Sequence, residues 1–277
     1  MTSQVQFSHE HFDYIRSYLY DVAGITLADR KKQMVENRIN KRIKELSLSG
    51  FDQYVSRLRN DSTQEEMVNL VNALTTNVTH FFRENHHFDH FRGYMADLLQ
   101  ARDGRRIRVW SAACSIGAEP YSMAMVLYDV MQELKLRADA RILATDIDTL
   151  ALARARMGAY HDKTLKGMTP SVLKKHFMLS EEDGEDVYTI KPYLRQMVAY
   201  NYLNFNTASW PMSRQFDAIF CRNVLIYFDR AKQQEYIGKM LSYLKSGGFL
   251  YLGHSEHAVM ENKGYKVCGQ TIYQKSD

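Results

Sequence analysis

From about residue 105 onward, short β-prone apolar runs alternate with helical stretches, and this alternation restricts the possible folds more than any other feature. Ile107 to Trp110, Arg141 to Thr145, Met197 to Leu203, Phe216 to Cys221 and Phe249 to Gly253 read as strands. Between them lie a helix with Met123, Val126, Leu127 and Val130 on one face, a second over Leu150 to Met157, and a third over Arg230 to Leu244 that Gly247-Gly248 should stop. Tyr265 to Lys275 reads as a closing hairpin. Strands alternating with helices mean an α/β fold with a doubly wound, mostly parallel sheet. We assign residues 93–277 to it.

Residues 1–75 have a different pattern. Phe12, Ile15 and Leu19, then Val35, Ile39, Ile43 and Leu46, then Met67, Leu70, Val71 and Leu74 recur at helical spacing. This predicts an all-helical N-terminal domain broken at Ala23-Gly24-Ile25 and Ser47 to Gly50, joined to the sheet by a linker over 76–92. Gly158 to Gln196 interrupts the strand–helix rhythm and is too long for an ordinary connection. A helical piece at Pro170 to Phe177, an acidic turn at Glu181 to Asp186 and the alternation Val187-Tyr188-Thr189-Ile190 predict an inserted β-subdomain over about 158–196. The alternating run reads as an exposed edge strand.

Bulk properties remove several function classes. Hydrophobic residues are 45% and charged residues 25%, a globular rather than disordered balance. No segment approaches the ~20 apolar residues of a membrane span, and Met1 to Glu10 lacks a signal core. Cys114, Cys221 and Cys268 lie far apart with no CxxC, which fits a reducing cytoplasm. The net charge of +4 does not call for nucleic acid. His86 and His90 have the i,i+4 spacing of a helical metal pair but lack an evident third ligand, so no metal is expected.

Four segments carry candidate chemistry. In open α/β sheets ligands bind beyond the carboxyl ends of the strands. The turn Ser111 to Glu119 follows the first strand, and its small residues Ala112, Ala113, Ser115 and Gly117 should let a cofactor approach the backbone. Neither G-x-G-x-x-G nor a Gly-Lys-Ser phosphate loop is present. Glu119 suits a cationic amino group better than a polyphosphate, although an acid at a helix N-terminus is also simply favourable. Asp146 ends the second strand, where an acid can bind ribose hydroxyls or cap a helix. Arg222, Asn223 and Tyr227 are polar positions in the apolar run Phe220 to Phe228, either functional or an ordinary surface cation and core tyrosine. Thr75 to Glu84, at the domain junction, could close over a ligand or cap the following helix.

Taken together and in order, Ala73 to Glu84, Val109 to Ser122, Ala144 to Asp148, Phe216 to Phe228 and Gly253 to Glu256 resemble the chemotaxis receptor methyltransferases of the CheR family over nearly the whole chain. The resemblance implies a Rossmann-like class I methyltransferase fold and S-adenosylmethionine as cofactor, released as S-adenosylhomocysteine. It implies that Glu119 and the backbone near Ala113 hold the methionine amino group, that Asp146 binds the ribose, and that Asn204 and Phe205 flank the adenine. Asn77, Thr79 and Arg83 would cover the cofactor, and Arg222, Asn223 and Tyr227 would line the side where the methyl leaves. The chain departs from the family at Ala118, where an acid is usual, and at Phe205, where leucine is common.

The implied reaction is methyl-ester formation on glutamate side chains of chemoreceptors. A glutamate with pKa about 4.3 is already ionised at neutral pH, so positioning and a holding cation suffice. Arg83 is the candidate cation, and Tyr227 would orient the substrate. Lys31, Arg38, Lys41 and Arg42 fall within about 100° of arc on one helix, either as a solvated face or as a surface that docks on the acidic methylation helices of receptors. The resemblance also implies that the β-subdomain could bind a receptor C-terminal tail. Two other readings stay open: a nucleic-acid methyltransferase, and a cofactor-sensing adaptor without catalysis.

Overall fold

The computed structural model describes residues 7–101, 106–256 and 264–276. The polar residues Met1 to Gln6, and Arg105 where the sequence pattern changes, lie outside that range. Four helices open the chain: α1 (His9–Ala23), α2 (Lys32–Glu45), α3 (Phe51–Arg59) and α4 (Glu65–Leu74). Ser8 caps α1 through a reciprocal capping box with His11, and Gly24 ends it at φ 72°, a left-handed conformation that glycine adopts without strain. The periodic residues Phe12, Ile15, Leu19, Val35, Ile39, Ile43, Leu70, Val71 and Leu74 meet in one buried cluster, which is how such amphipathic helices are held.

The remainder runs α5 (His86–Ala101), β1 (Arg106–Ala112), α6 (Ala118–Glu133), β2 (Asp139–Asp146), α7 (Thr149–Met157), β3 (Ala159–Tyr160), α8 (Pro170–His176), β4 (Phe177–Glu182), β5 (Glu185–Ile190), α9 (Pro192–Arg195), β6 (Val198–Tyr202), β7 (Phe216–Cys221), α10 (Arg230–Tyr243), β8 (Leu244–Leu252), β9 (Tyr265–Gly269) and β10 (Ile272–Lys275). The main sheet has the order β6-β2-β1-β7-β8-β10-β9. Its first five strands are parallel, and β10 and β9 add an antiparallel edge. One apolar cluster covers each face. From β1 the chain winds outward to β2 and β6, then returns to β7 on the other side. The switch point therefore lies between β1 and β7, where open α/β sheets bind ligands.

Two expectations need correction. Gly247-Gly248 does not stop α10. The helix ends at Tyr243, and both glycines lie inside β8. The β7–β8 register shifts there, Gly247 adopts φ 70°, and a Cβ on Gly248 would sit 2.8 Å from the Asp217 carbonyl. The pair serves an irregularity in the strand. In the insertion, β3-β5-β4 is the order, so Val187 to Ile190 lies in the central strand. The exposed edge is β4, where Met178 and Leu179 are 45% and 61% exposed.

Candidate active site

A cleft opens at the switch point, beyond the carboxyl ends of β1, β2, β6 and β7. The segments that frame it hold several non-glycine residues at positive φ: Phe82 53°, Glu84 55°, Ala113 68°, Ser115 51° and Asn223 59°. Strain of this kind persists only where surroundings enforce it, and it gathers at functional sites.

The turn after β1 gives Ala113, Cys114, Ser115 and Glu119 to the cleft. Ala112 and Gly117 do not line it, contrary to expectation. A Cβ on Gly117 would meet the Ala155 Cβ and the Tyr160 and Tyr200 hydroxyls at 2.9 Å. Its glycine permits a turn at φ 91° and close packing behind the cleft. Ala118 is also fully buried and outside the cleft, so the missing acid there removes no cleft ligand.

Asp146 ends β2 and lines the cleft. Oδ2 accepts from the Ser115 N–H at 2.7 Å, and Oδ1 from the Asp148 N–H at 2.9 Å. Burial pushes its pKa up to about 6 against these bonds. Asp148 caps α7 through Oδ1, while its Oδ2 accepts from Thr75 Oγ1 at 2.6 Å and Asn77 Nδ2 at 2.7 Å. Asn77 Oδ1 in turn accepts from Ser115 Oγ at 2.9 Å. The interdomain linker is thereby fastened across the cleft, with Asn77, Thr79 and Arg83 on its wall.

After β6, Asn204 and Phe205 form another wall. Asn204 Nδ2 donates to the Val22 carbonyl at 2.7 Å and so ties this loop to α1. Phe205 packs with Trp210, Phe228 and Tyr236. Ile147 and Leu203 complete an apolar side.

After β7, Arg222, Asn223 and Tyr227 line the opposite wall. The Arg222 side chain is 2% exposed and lies between two carboxylates, at 3.1 Å from Glu119 Oε2 and 3.1 Å from Glu84 Oε2. It also donates to the Arg83 carbonyl. Glu119 Oε1 accepts from Ser111 Oγ at 2.7 Å. Burial raises the Glu119 pKa, with Arg222 and Ser111 opposing. Burial also pushes on Glu84, but Arg222 and hydrogen bonds from Asn223 and the His254 N–H outweigh it and hold Glu84 below the ordinary range. Arg83 is different. Its Nη1 donates to the Val78 carbonyl at 2.9 Å, and it forms no ion pair among the described residues. The Tyr227 hydroxyl makes no hydrogen bond among the described residues; its backbone is engaged, the carbonyl accepting from Thr26 and the N–H donating to the Val224 carbonyl.

All ten positions expected to bind cofactor, and Tyr227, thus surround one cleft. The docking positions do not. Lys31, just before α2, and Lys41, on it, are exposed, but Arg38 donates to the Ala73 and Thr75 carbonyls at 3.0 and 2.6 Å. Arg42 binds the buried Glu66 through Nε at 3.0 Å and Nη2 at 2.8 Å. These two arginines hold α2 to α4 and the linker rather than facing outward. His90 is engaged with the Tyr251 hydroxyl at 2.9 Å, and His87 with Thr271 Oγ1 at 3.0 Å.

Sequence reasoning gave no role to Glu84, Ser111, Asp148 or Glu256. The Glu256 carboxylate accepts from the N–H groups of Gly253, Asn223 and Leu225 at 2.7, 2.7 and 2.6 Å, and so fixes the turn that carries Arg222 and Asn223. All four stand inside the motifs quoted above; their types were visible, but not their partners.

An open sheet with two buried acids, two arginines and an apolar wall at its switch point defines a doubly wound enzyme built for a cationic, nucleoside-bearing cofactor. Comparison with known proteins is specific. Residues 77–274 match the CheR methyltransferase SAM-binding domain, and residues 10–75 match the CheR methyltransferase all-alpha domain. The chemotaxis protein methyltransferase of Escherichia coli (strain K12) is 40% identical, across 100% of this chain and 94% of its own. A probable chemotaxis protein methyltransferase of Rhizobium etli is 42% identical over 92% of this chain and 96% of its own. The chain belongs to the CheR family of S-adenosylmethionine-dependent methyltransferases of chemotaxis. The cleft suits that cofactor: Glu119 and Asp146 offer acceptors to an ammonium and a diol, and Phe205 and Leu203 offer an apolar face to a base.

Proposed function

We propose that the protein esterifies glutamate side chains of chemoreceptors, in the cytoplasm, with S-adenosylmethionine as methyl donor. The observation that carries this reading is the pairing of Arg83, a cation on the cleft wall without an acidic partner among the described residues, with the unengaged Tyr227 hydroxyl. An anionic acceptor needs such a cation, and an ionised carboxylate needs no base.

Glu119 and the Ala113 backbone would hold the ammonium, Asp146 the ribose hydroxyls, and Phe205 with Asn204 the adenine. Asn77 and Thr79 cover the cleft from the linker. The bound cofactor supplies a methyl group already activated on a sulfonium. Arg83 holds the incoming carboxylate, Tyr227 orients it, and Arg222 and Asn223 shape the wall beside it. The linker, fastened by Asp148, excludes water. What these residues contribute is placement of two reactants at contact distance.

The decisive assay incubates the protein with methyl-labelled cofactor and a receptor cytoplasmic fragment. Labelled, alkali-labile methyl esters on glutamate support the reading. Label that resists alkali, or appears on nucleic acid instead, rejects it.

Receptor docking falls to the exposed Lys31, at the start of α2, and Lys41, on it, because Arg38 and Arg42 are engaged internally. The insertion offers a second contact. β4 is an unpaired edge with exposed apolar side chains, and an extended receptor tail could add to it as a fourth strand. Such a tether would raise the local concentration of methylation sites. Backbone amide shifts confined to residues around Phe177 to Glu182 on titrating a tail peptide would support it; no binding at millimolar peptide would reject it.

A further inference from the structure

The cleft floor contains a buried guanidinium shared by two carboxylates, only one of which lines the cleft. Arg222 stands 3.1 Å from both Glu84 and Glu119. Glu119 lines the cleft and Glu84 does not. If Arg222 had Glu119 as its only partner, the two charges would cancel and leave a neutral floor. With Glu84 present the trio carries one net negative charge, and its exposed face is Glu119. Glu84 is built to stay ionised: it accepts from Asn223 Nδ2 at 3.2 Å and the His254 N–H at 3.2 Å in addition to Arg222. His87 behind it is fully buried, with Nδ1 3.6 Å from Glu84 Oε2. Burial, reinforced by Arg222, pushes its pKa down to about 3. This neighbour is therefore neutral and does not cancel the Glu84 charge.

We propose that Glu84 is a positioning residue that releases Glu119 from full neutralisation by Arg222, so that the floor keeps a negative potential that favours the positively charged methyl donor over its neutral-sulfur product. The two ligands share an ammonium and a carboxylate and differ by one methyl group and the sulfonium charge it brings. A floor with net charge −1 discriminates between them, whereas a neutral floor does not. This inference rests on Glu119 as the seat of the cofactor's ammonium group.

The test is calorimetric titration of S-adenosylmethionine and S-adenosylhomocysteine into the full-length wild type and Glu84→Gln. Glutamine keeps the shape and an acceptor oxygen but removes the charge. The expected result is a fall in affinity for both ligands, with the loss for S-adenosylmethionine greater by on the order of tenfold, the size expected for one unit charge acting across a partly buried site. An equal loss for the two ligands would make Glu84 a structural brace only and overturn the proposal, as would unchanged binding. Glu84→Asp keeps the charge on a shorter side chain. Its affinity ratio should stay within about twofold of the wild type. A ratio outside that range overturns the proposal even where Glu84→Gln does not fold. Glu119→Gln separates this outcome from failure of the underlying assignment: if it leaves both affinities intact, the ammonium sits elsewhere, whatever Glu84 does.

Discussion

Arg42→Ala deletes both charged hydrogen bonds to Glu66 and leaves that carboxylate, itself 2% exposed, with only the Tyr54 hydroxyl at 3.0 Å and a longer contact to Arg57 at 3.7 Å. Breaking one side of a buried ion pair costs about 3–5 kcal/mol, because the remaining charge loses its compensation. Arg42 is 18% exposed and Arg57 can move inward, so the lower end, about 3 kcal/mol, is expected. Tyr54→Phe removes a single hydrogen bond to the same carboxylate and should cost about 1.5 kcal/mol. The order Arg42→Ala greater than Tyr54→Phe follows from the number of charged bonds each removes. Urea unfolding followed by far-ultraviolet circular dichroism measures both. Tryptophan fluorescence would report on the sheet part alone, where both tryptophans, Trp110 and Trp210, lie. A wild-type unfolding midpoint in Arg42→Ala, combined with weakened receptor methylation, would refute the reasoning and return Arg42 to a docking role.

Three further outcomes are expected. Arg83→Ala should lower turnover more than cofactor affinity; steady-state kinetics beside calorimetry decides this, and equal losses would make Arg83 a cofactor clamp. Asp146 has its folded pKa raised to about 6, so the empty protein gains stability from this residue as pH falls from about 6 towards its unfolded value. Cofactor affinity, which uses the ionised form, should weaken across the same window, and Asp146→Asn should bind more weakly by about 1.5–3 kcal/mol and lose that inflection in a pH titration. Gly117→Ala, which forces a Cβ into three atoms at 2.9 Å, should destabilise by about 1–3 kcal/mol in thermal melts while cofactor affinity in the folded fraction changes little.

What the sequence made legible was pattern, and what it hid was partnership. Strands and helices from Ile107 onward could be read because burial imposes its period on apolar residues. The same alternation at Val187 to Ile190 misled, since a period of two shows that a strand has two unlike faces but not whether a neighbour lies on one side or both. Gly247-Gly248 misled for a related reason: glycine ends helices and also relieves crowding in strands. Arg38 and Arg42 sit beside the apolar seam of α2, which a helical wheel shows. That a buried carboxylate on α4 and two carbonyls at the end of that helix lie across from them is a tertiary fact. The cleft residues were found through their motifs, yet Glu84 and Glu256 in those motifs remained without a role because each works through backbone or a second side chain.

The cleft takes Ala23 and Ile25 from the end of α1, Leu74 from α4, the linker, and the ends of four strands. No single layer of the protein encloses it. A ligand that binds only when these parts are together must add its own binding free energy to their cohesion, by about 2.7 kcal/mol at a free concentration one hundred times its dissociation constant. A bound cofactor would thus act as a mortise pin between the helical layer and the sheet, adding to the direct ties such as Asn204 to Val22 and Asn72 to Thr149, and its contribution would grow with the concentration of methyl donor.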